Sequence, residues 1–253
     1  MSASDVIATF EAKSGGGVWK NISRADVVAG LRARVASPGK IDTSSCSLCG
    51  PASFLYSVLS EYPEDYCNYI CDLYDTGKGK LWDFEVKPGD DCKNYKVPTN
   101  KIHPVDWIGL GGLRDSENGW FDYQSVDDDA SAITMPGTLT SWFKKATYGT
   151  RHNVTNVYLT KSQSDIEAAN NLRNQGLKVC LFIAADMLYT SDQDNKSTIP
   201  DHWVVLTGPV LIKDGKISLE VFTWGKAKRK VPESGELSLK SFLNNFYGYV
   251  AAK

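Results

Sequence analysis

Cys46-Ser47-Leu48-Cys49-Gly50-Pro51-Ala52-Ser53-Phe54-Leu55 is the stretch from which the fold is read. A thiol is followed at once by Gly50-Pro51, then by apolar residues at helical spacing: Ala52, Leu55 and Leu59, with Phe54 and Val58 beside them. Proline suits the first turn of a helix, where its missing N–H would have had no partner anyway. The pattern predicts a buried helix with Cys49 just ahead of it, at the end where unpaired N–H groups and the positive dipole gather. That setting favours the thiolate, which is the nucleophilic form. Two roles follow for Cys49: a nucleophile on a helix terminus, or a small buried hydrophobe, the commoner use of an unbridged cysteine.

The 253 residues suffice for one large or two small domains. With 42% hydrophobic and 23% charged residues the composition is that of a soluble globular protein. A net charge of −2 argues against nucleic acid or an anionic membrane as partner. No stretch approaches 18 apolar residues, so no transmembrane helix is expected. Met1-Ser2-Ala3-Ser4-Asp5 lacks the basic and apolar regions of a secretory signal. The expectation is a protein of the cytoplasm, or one exported by a route that uses no such signal. Six cysteines are too sparse for a disulfide scaffold. Cys46 and Cys49 form a CxxC, but a zinc site needs a second ligand pair at matching spacing. Cys67 and Cys71 are four apart, and His103 and His152 stand alone, so neither metal nor other cofactor is expected. Cys67, Cys71, Cys92 and Cys180 read as structural.

Before the cysteine stretch, Ser23 is placed to cap a helix carrying Val27, Val28, Leu31 and Val35, closed by Ser37-Pro38-Gly39. Thr43, Ser44 and Ser47 flank the cysteine where a hydroxyl could donate to an oxyanion, although short hydroxyl residues more often cap helices. A second helix is predicted through Tyr66, Tyr69, Ile70, Leu73 and Tyr74. Gly109-Leu110-Gly111-Gly112 has no β-branched strand leading into it and is not a dinucleotide loop. Asp127-Asp128-Asp129 lacks EF-hand spacing and reads as a solvated acidic loop. Thr138 or Thr140 starts a short helix with Leu139, Trp142 and Phe143. No repeat or linker is visible, so the simplest account is one domain over 1–253 with an elaboration at about 60–160.

The last third is better organised. A helix opens at Ser164-Asp165-Ile166-Glu167 and closes at Gly176, and Leu177–Ala184 follows as a buried strand. A polar loop at 190–198 leads to Pro200–Gly208, a strand headed by His202. Asp214-Gly215 is a strong type I′ hairpin signal, returning the chain as Ile217–Thr223 before Trp224-Gly225. A final helix is assigned to Leu239, Phe242, Leu243 and Phe246.

A cysteine hydrolase needs a thiolate, a histidine to carry its proton, and usually a group that orients the histidine. Cys49 supplies the first and His202, held at a strand start, fits the second. Taken alone, His202 reads more readily as a surface histidine at a strand start. Together, Cys-Gly-Pro-Ala-Ser-Phe-Leu at 49–55, the helix and strand at 165–184, and His-Trp-Val-Val-Leu-Thr-Gly at 202–208 resemble the papain-like cysteine hydrolases. The branch most similar is that of the bacterial peptidases that remove double-glycine leaders. The resemblance implies an α+β fold in which the N-terminal catalytic-Cys helix packs on an antiparallel sheet carrying the His, with Cys49 rather than Cys46 as nucleophile. The family's third residue, an Asn or Asp, stands on the next antiparallel strand. Here Phe222 occupies the Asn place of an Asn-Ser-Trp-Gly pattern. Counting the hairpin register from Asp214-Gly215, with a one-residue shift at Pro209, makes Thr223, or alternatively Glu220, the candidate orienter. A Cys–His dyad without one stays open. Thr43 stands where the family has its oxyanion Gln, and Trp224 is placed to shield the histidine.

The resemblance implies hydrolysis of amide bonds in a protein or peptide, a peptidoglycan peptide included. Deamidation and acyl transfer use the same machinery. The chain layout is similar to that of toxins or effectors delivered by bacterial type VI secretion, which implies a cognate immunity protein as a further partner. Two other classes compete: a CxxC redox or metal protein, and a non-catalytic binding module on the same fold.

Overall fold

The computed structural model describes residues 1–43, 46–98, 100–117, 133–188 and 199–253. Asp127-Asp128-Asp129, the loop at 190–198 and Ser44 lie outside them. The chain separates into two compact units: Met1–Thr134 with Lys145–Thr147, and Met135–Lys144 with Tyr148–Lys253. The boundary falls inside the stretch 60–160 that was read as an elaboration of one domain. Architecture is mixed α and β with an antiparallel sheet. Among the described residues no helix is long and apolar enough to cross a membrane.

The first unit is helical. It holds α1 (Ala3–Glu11), α2 (Arg24–Ala36), α3 (Cys49–Glu61) and α4 (Pro63–Thr76), then a small hairpin of β1 (Gly79–Leu81) and β2 (Phe84–Val86). Short helices α5 (Asp90–Asn94), α6 (Pro104–Asp106) and α7 (Gly112–Glu117) follow. Ser23 caps α2 as the sequence predicts, its hydroxyl accepting from Asp26 N–H. Trp107–Gly111, the glycine-rich piece, is a π-helical turn joining α6 to α7. Phe54, Leu55, Val58 and Leu59 of α3 are all buried. Each such side chain stabilises the unit by about 1.5–3 kcal/mol relative to exposure.

The second unit begins with α8 (Pro136–Lys145), whose first residue is Pro136 rather than a threonine, and β3 (Arg151–Asn153). Next come α9 (Gln163–Asn174), β4 (Lys178–Ile183), β5 (His202–Leu206), β6 (Leu211–Lys213) and β7 (Lys216–Thr223). The chain closes with β8 (Lys226–Val231), β9 (Leu237–Ser238), α10 (Leu239–Leu243) and β10 (Phe246–Ala252). The sheet runs β3-β10-β4-β5-β7-β6, with β8 and β9 also paired to β7, and every pairing is antiparallel. α9 is opened by Ser162 in a capping box with Asp165, two residues before the predicted start.

One prediction is corrected. The final helix stops at Leu243, and Phe246 begins β10, which lies between β3 and β4. Phe246-Tyr247-Gly248-Tyr249-Val250 is buried along its whole length, so the polar/apolar alternation that would mark a strand is missing. One sheet face, carrying Val179, Leu181, Ile183, Val204, Leu206, Val221 and Leu219, packs with Ile166 and Ala169 of α9 and with Phe242 and Phe246.

Candidate active site

In the first unit Cys49 is the first residue of α3, and Leu48 at the N-cap supplies no side-chain cap. The approach is tightly wound: Cys46 N–H donates to Thr43 O at 2.7 Å, and Leu48 N–H to Cys46 O at 2.8 Å. It is also anchored from below. Asp42 N–H donates to Oδ2 of Asp106, which is held by the buried Arg34, Nε to Oδ1 at 2.8 Å. Ala52 N–H is taken by Leu48 O, and Pro51 has no N–H to offer. Gly50 is required by packing: a Cβ there would lie 2.2 Å from Thr134 Oγ1. Thr134, fully buried, receives a long 3.5 Å hydrogen bond from Arg114 Nη1. Neither residue was singled out in the sequence, because their place beside α3 comes from a contact more than 60 residues distant. Thr43 is buried, Ser47 half-buried and Cys49 7% exposed.

Cys67, Cys71 and Cys92 of this unit are buried. Burial pushes Cys67 and Cys71 up to about 12, and raises Cys92 as well, so all three stay protonated near neutral pH. Among the described residues no group of three or more His, Cys, Asp or Glu side chains is placed to hold a metal ion.

In the second unit His202 heads β5 and pairs with Ile183 of β4, which puts it on the face of Val204 and Leu206. Antiparallel register pairs Val205 with Phe222 and Leu206 with Val221, so Phe222 belongs to the opposite face. Thr223 therefore comes to the histidine: its Oγ1 is 2.7 Å from His202 Nε2, and both side chains are buried. A register shift between Val221 and Thr223 in the β7–β8 pairing accompanies this placement. Glu220 is not brought to His202. Its carbonyl accepts from Thr207 and Gly208 N–H, at the far end of β5.

Trp224 and Gly225 form the two-residue turn between β7 and β8, closed by the Thr223–Lys226 pair. Both have positive φ, 44° and 70°. The Trp224 ring stacks on the imidazole, centroids 4.6 Å apart and planes 26° from parallel. Burial first, and the Arg229 charge second, depress the His202 pKa to about 3. The imidazole is thus held neutral near pH 7. With Nε2 occupied by Thr223, Nδ1 is the nitrogen left to exchange a proton.

Comparisons of the chain with protein-family models, with curated proteins and with solved structures find no match.

Proposed function

We propose that the chain is a cysteine hydrolase of papain-like type acting on amide bonds, with Cys49 as nucleophile and His202 as general base and then general acid. The single observation that carries this reading is the 2.7 Å contact of His202 Nε2 with Thr223 Oγ1 on the neighbouring antiparallel strand, under a stacked tryptophan. A histidine held by one nitrogen and shielded on one ring face is oriented for proton transfer at the other nitrogen. Cys49 at the first position of a buried helix supports the other half.

In this mechanism neutral His202 takes the thiol proton at Nδ1 as the sulfur attacks the carbonyl carbon. The oxyanion forms beside the first-turn N–H groups of α3, with Thr43 and Ser47 as flanking hydroxyl residues. The imidazolium then protonates the leaving amine, and water releases the acyl group by the reverse sequence. A hydroxyl orients the ring without adding negative charge, unlike the carboxylate of a Ser-His-Asp triad.

Alkylation tests this. Iodoacetamide should modify Cys49 faster than free cysteine near neutral pH, and His202→Asn should slow it by about 10²-fold or more. Cys46→Ala should leave the rate unchanged. A Cys49 that reacts no faster than free cysteine, or equal loss at Cys46 and Cys49, would overturn the reading. Expressing wild type and Cys49→Ala in bacterial cytoplasm and periplasm then addresses the effector proposal. Growth arrest confined to the periplasm points to a cell-wall peptide, and arrest in the cytoplasm to a protein substrate.

A further inference from the structure

Trp224 sits at a backbone conformation unfavourable to it. At φ 44°, a bulky side chain costs of order what a left-handed residue costs anywhere, and Asn or Gly is the usual occupant of such a turn. Something must hold the ring where it is, and Arg229 is in position. The Arg229 guanidinium carbon lies 4.9 Å from the centre of the Trp224 ring, and that ring stacks on His202. Arg229 is itself buried and clamped: Nη2 donates to Leu188 O at 3.1 Å and to Glu233 Oε2 at 3.0 Å. Glu233 also receives Lys226 Nζ, at 3.2 Å, from the first position of β8. The register explains the alignment. Arg229 pairs with Val221, which pairs with Leu206, so Arg229 and His202 belong to one face of the two strands, β8 and β5, that flank β7.

We propose that Arg229 is a positioning residue for His202, acting through Trp224: the clamped guanidinium fixes the indole, and the indole keeps the imidazole on Thr223 and its ring face dry. This rests on the hydrolase reading for its purpose but not for its geometry. Arginine suits the task better than lysine, because a planar guanidinium lies against an aromatic ring while its N–H groups still reach two acceptors. Among the described residues, Glu233 and Lys226 on the hairpin form a charged cluster with Arg229, and Asp201 adjoins His202 in the chain. Asp201 Oδ1 is engaged by Ala185 N–H at 2.8 Å. Arg229 thus lays a cationic charge against the indole face, and it opposes protonation of the histidine behind it.

The test is the ring NMR of His202 in the full chain, read in wild type, Arg229→Met, Arg229→Lys and Trp224→Leu. Arg229→Met should move the His202 titration upward by about one pH unit and speed exchange of its ring N–H at least about 10-fold. Arg229→Lys, keeping charge without the plane, should restore the titration but not the exchange protection. Trp224 is only partly buried, so Trp224→Leu keeps the question answerable if Arg229→Met does not fold. It should reproduce the loss of protection. His202 titration and exchange unchanged from wild type in Arg229→Met, or in Trp224→Leu where that variant stands in, would overturn the proposal. Its failure is distinguishable from that of the hydrolase reading. A slow Cys49 with a responsive His202 ring sinks only the enzyme, and a fast Cys49 with an indifferent ring sinks only the role of Arg229.

Discussion

Strand β7 begins and ends in turns of the same construction. At its start Asp214 and Gly215 take φ of 50° and 72° between the paired Lys213 and Lys216. At its end Trp224 and Gly225 take 44° and 70° between the paired Thr223 and Lys226. Both satisfy the rule that a two-residue hairpin loop needs positive φ at both positions, matching the right-handed twist of the strands. The first uses the residues that conformation prefers and stands open to solvent, with nothing within 4 Å of a Cβ built at Gly215. The second puts a tryptophan where left-handed backbone costs a non-glycine residue roughly 1–2 kcal/mol. The difference teaches that residue choice reports turn geometry only where the turn has no other task. At Trp224 the strain is offset by stacking on His202 and by Arg229.

The comparison can be broken most forcefully through pH. His202 is held neutral, its pKa lowered to about 3 against an unfolded value near 6.5. The unfolded chain binds this proton first as pH falls, so the stability it contributes is complete above about 6.5 and is lost between there and about 3. From pH 7.5 to 4.5 this site should cost roughly 2–3 kcal/mol, read as a fall in urea midpoint that His202→Gln removes. Equal falls in both proteins would show that the Trp224 turn protects nothing.

Thr223→Val should come next. It keeps the shape but leaves a buried imidazole nitrogen without its partner, destabilising by about 1–3 kcal/mol. Alkylation of Cys49 should slow about 10²-fold, whereas Thr223→Ser should retain most of the rate. A full rate in Thr223→Val would separate the turn from the chemistry. Gly215→Ala and Gly225→Ala sharpen the contrast further. Each puts a Cβ at positive φ and should cost about 1–2 kcal/mol, but only Gly225→Ala should alter Cys49 reactivity. Matching effects on reactivity would mean that the two turns are equivalent. Smallest is Asp214→Asn, one good turn residue for another, which should leave the unfolding midpoint within about 0.5 kcal/mol of wild type.

The legible parts of the fold were those with local causes. Ser23 and Asp214-Gly215 act on neighbours within a few residues and produce the predicted cap and turn, whereas the cap of α9 is Ser162 with Asp165, two residues before the predicted Ser164. The continuous apolar run of β4 was likewise readable as a buried strand, and it lies between β10 and β5. Lys226-Ala227-Lys228-Arg229-Lys230-Val231 was not, because its charges look like a solvated loop until Arg229 is seen turned inward. Phe246 was given to the preceding helix because Phe242 and Phe246 have helical spacing, although their rings meet across a chain reversal, 5.4 Å apart. For the histidine half of the candidate site, the lean to Thr223 over Glu220 rested on a register count, and the geometry puts Thr223 at the ring.

By itself the sequence determined the helix that starts at Cys49, the caps, the Asp214-Gly215 turn, and a strand headed by His202, since each depends on forces acting over one or two turns of chain. Only the tertiary structure decided which side chain meets the imidazole, that β10 enters the sheet beside β4, and that Arg229 backs Trp224. Those outcomes depend on strand register and on a one-residue shift in pairing. Such a shift reverses the face a side chain takes while changing almost nothing in local propensity.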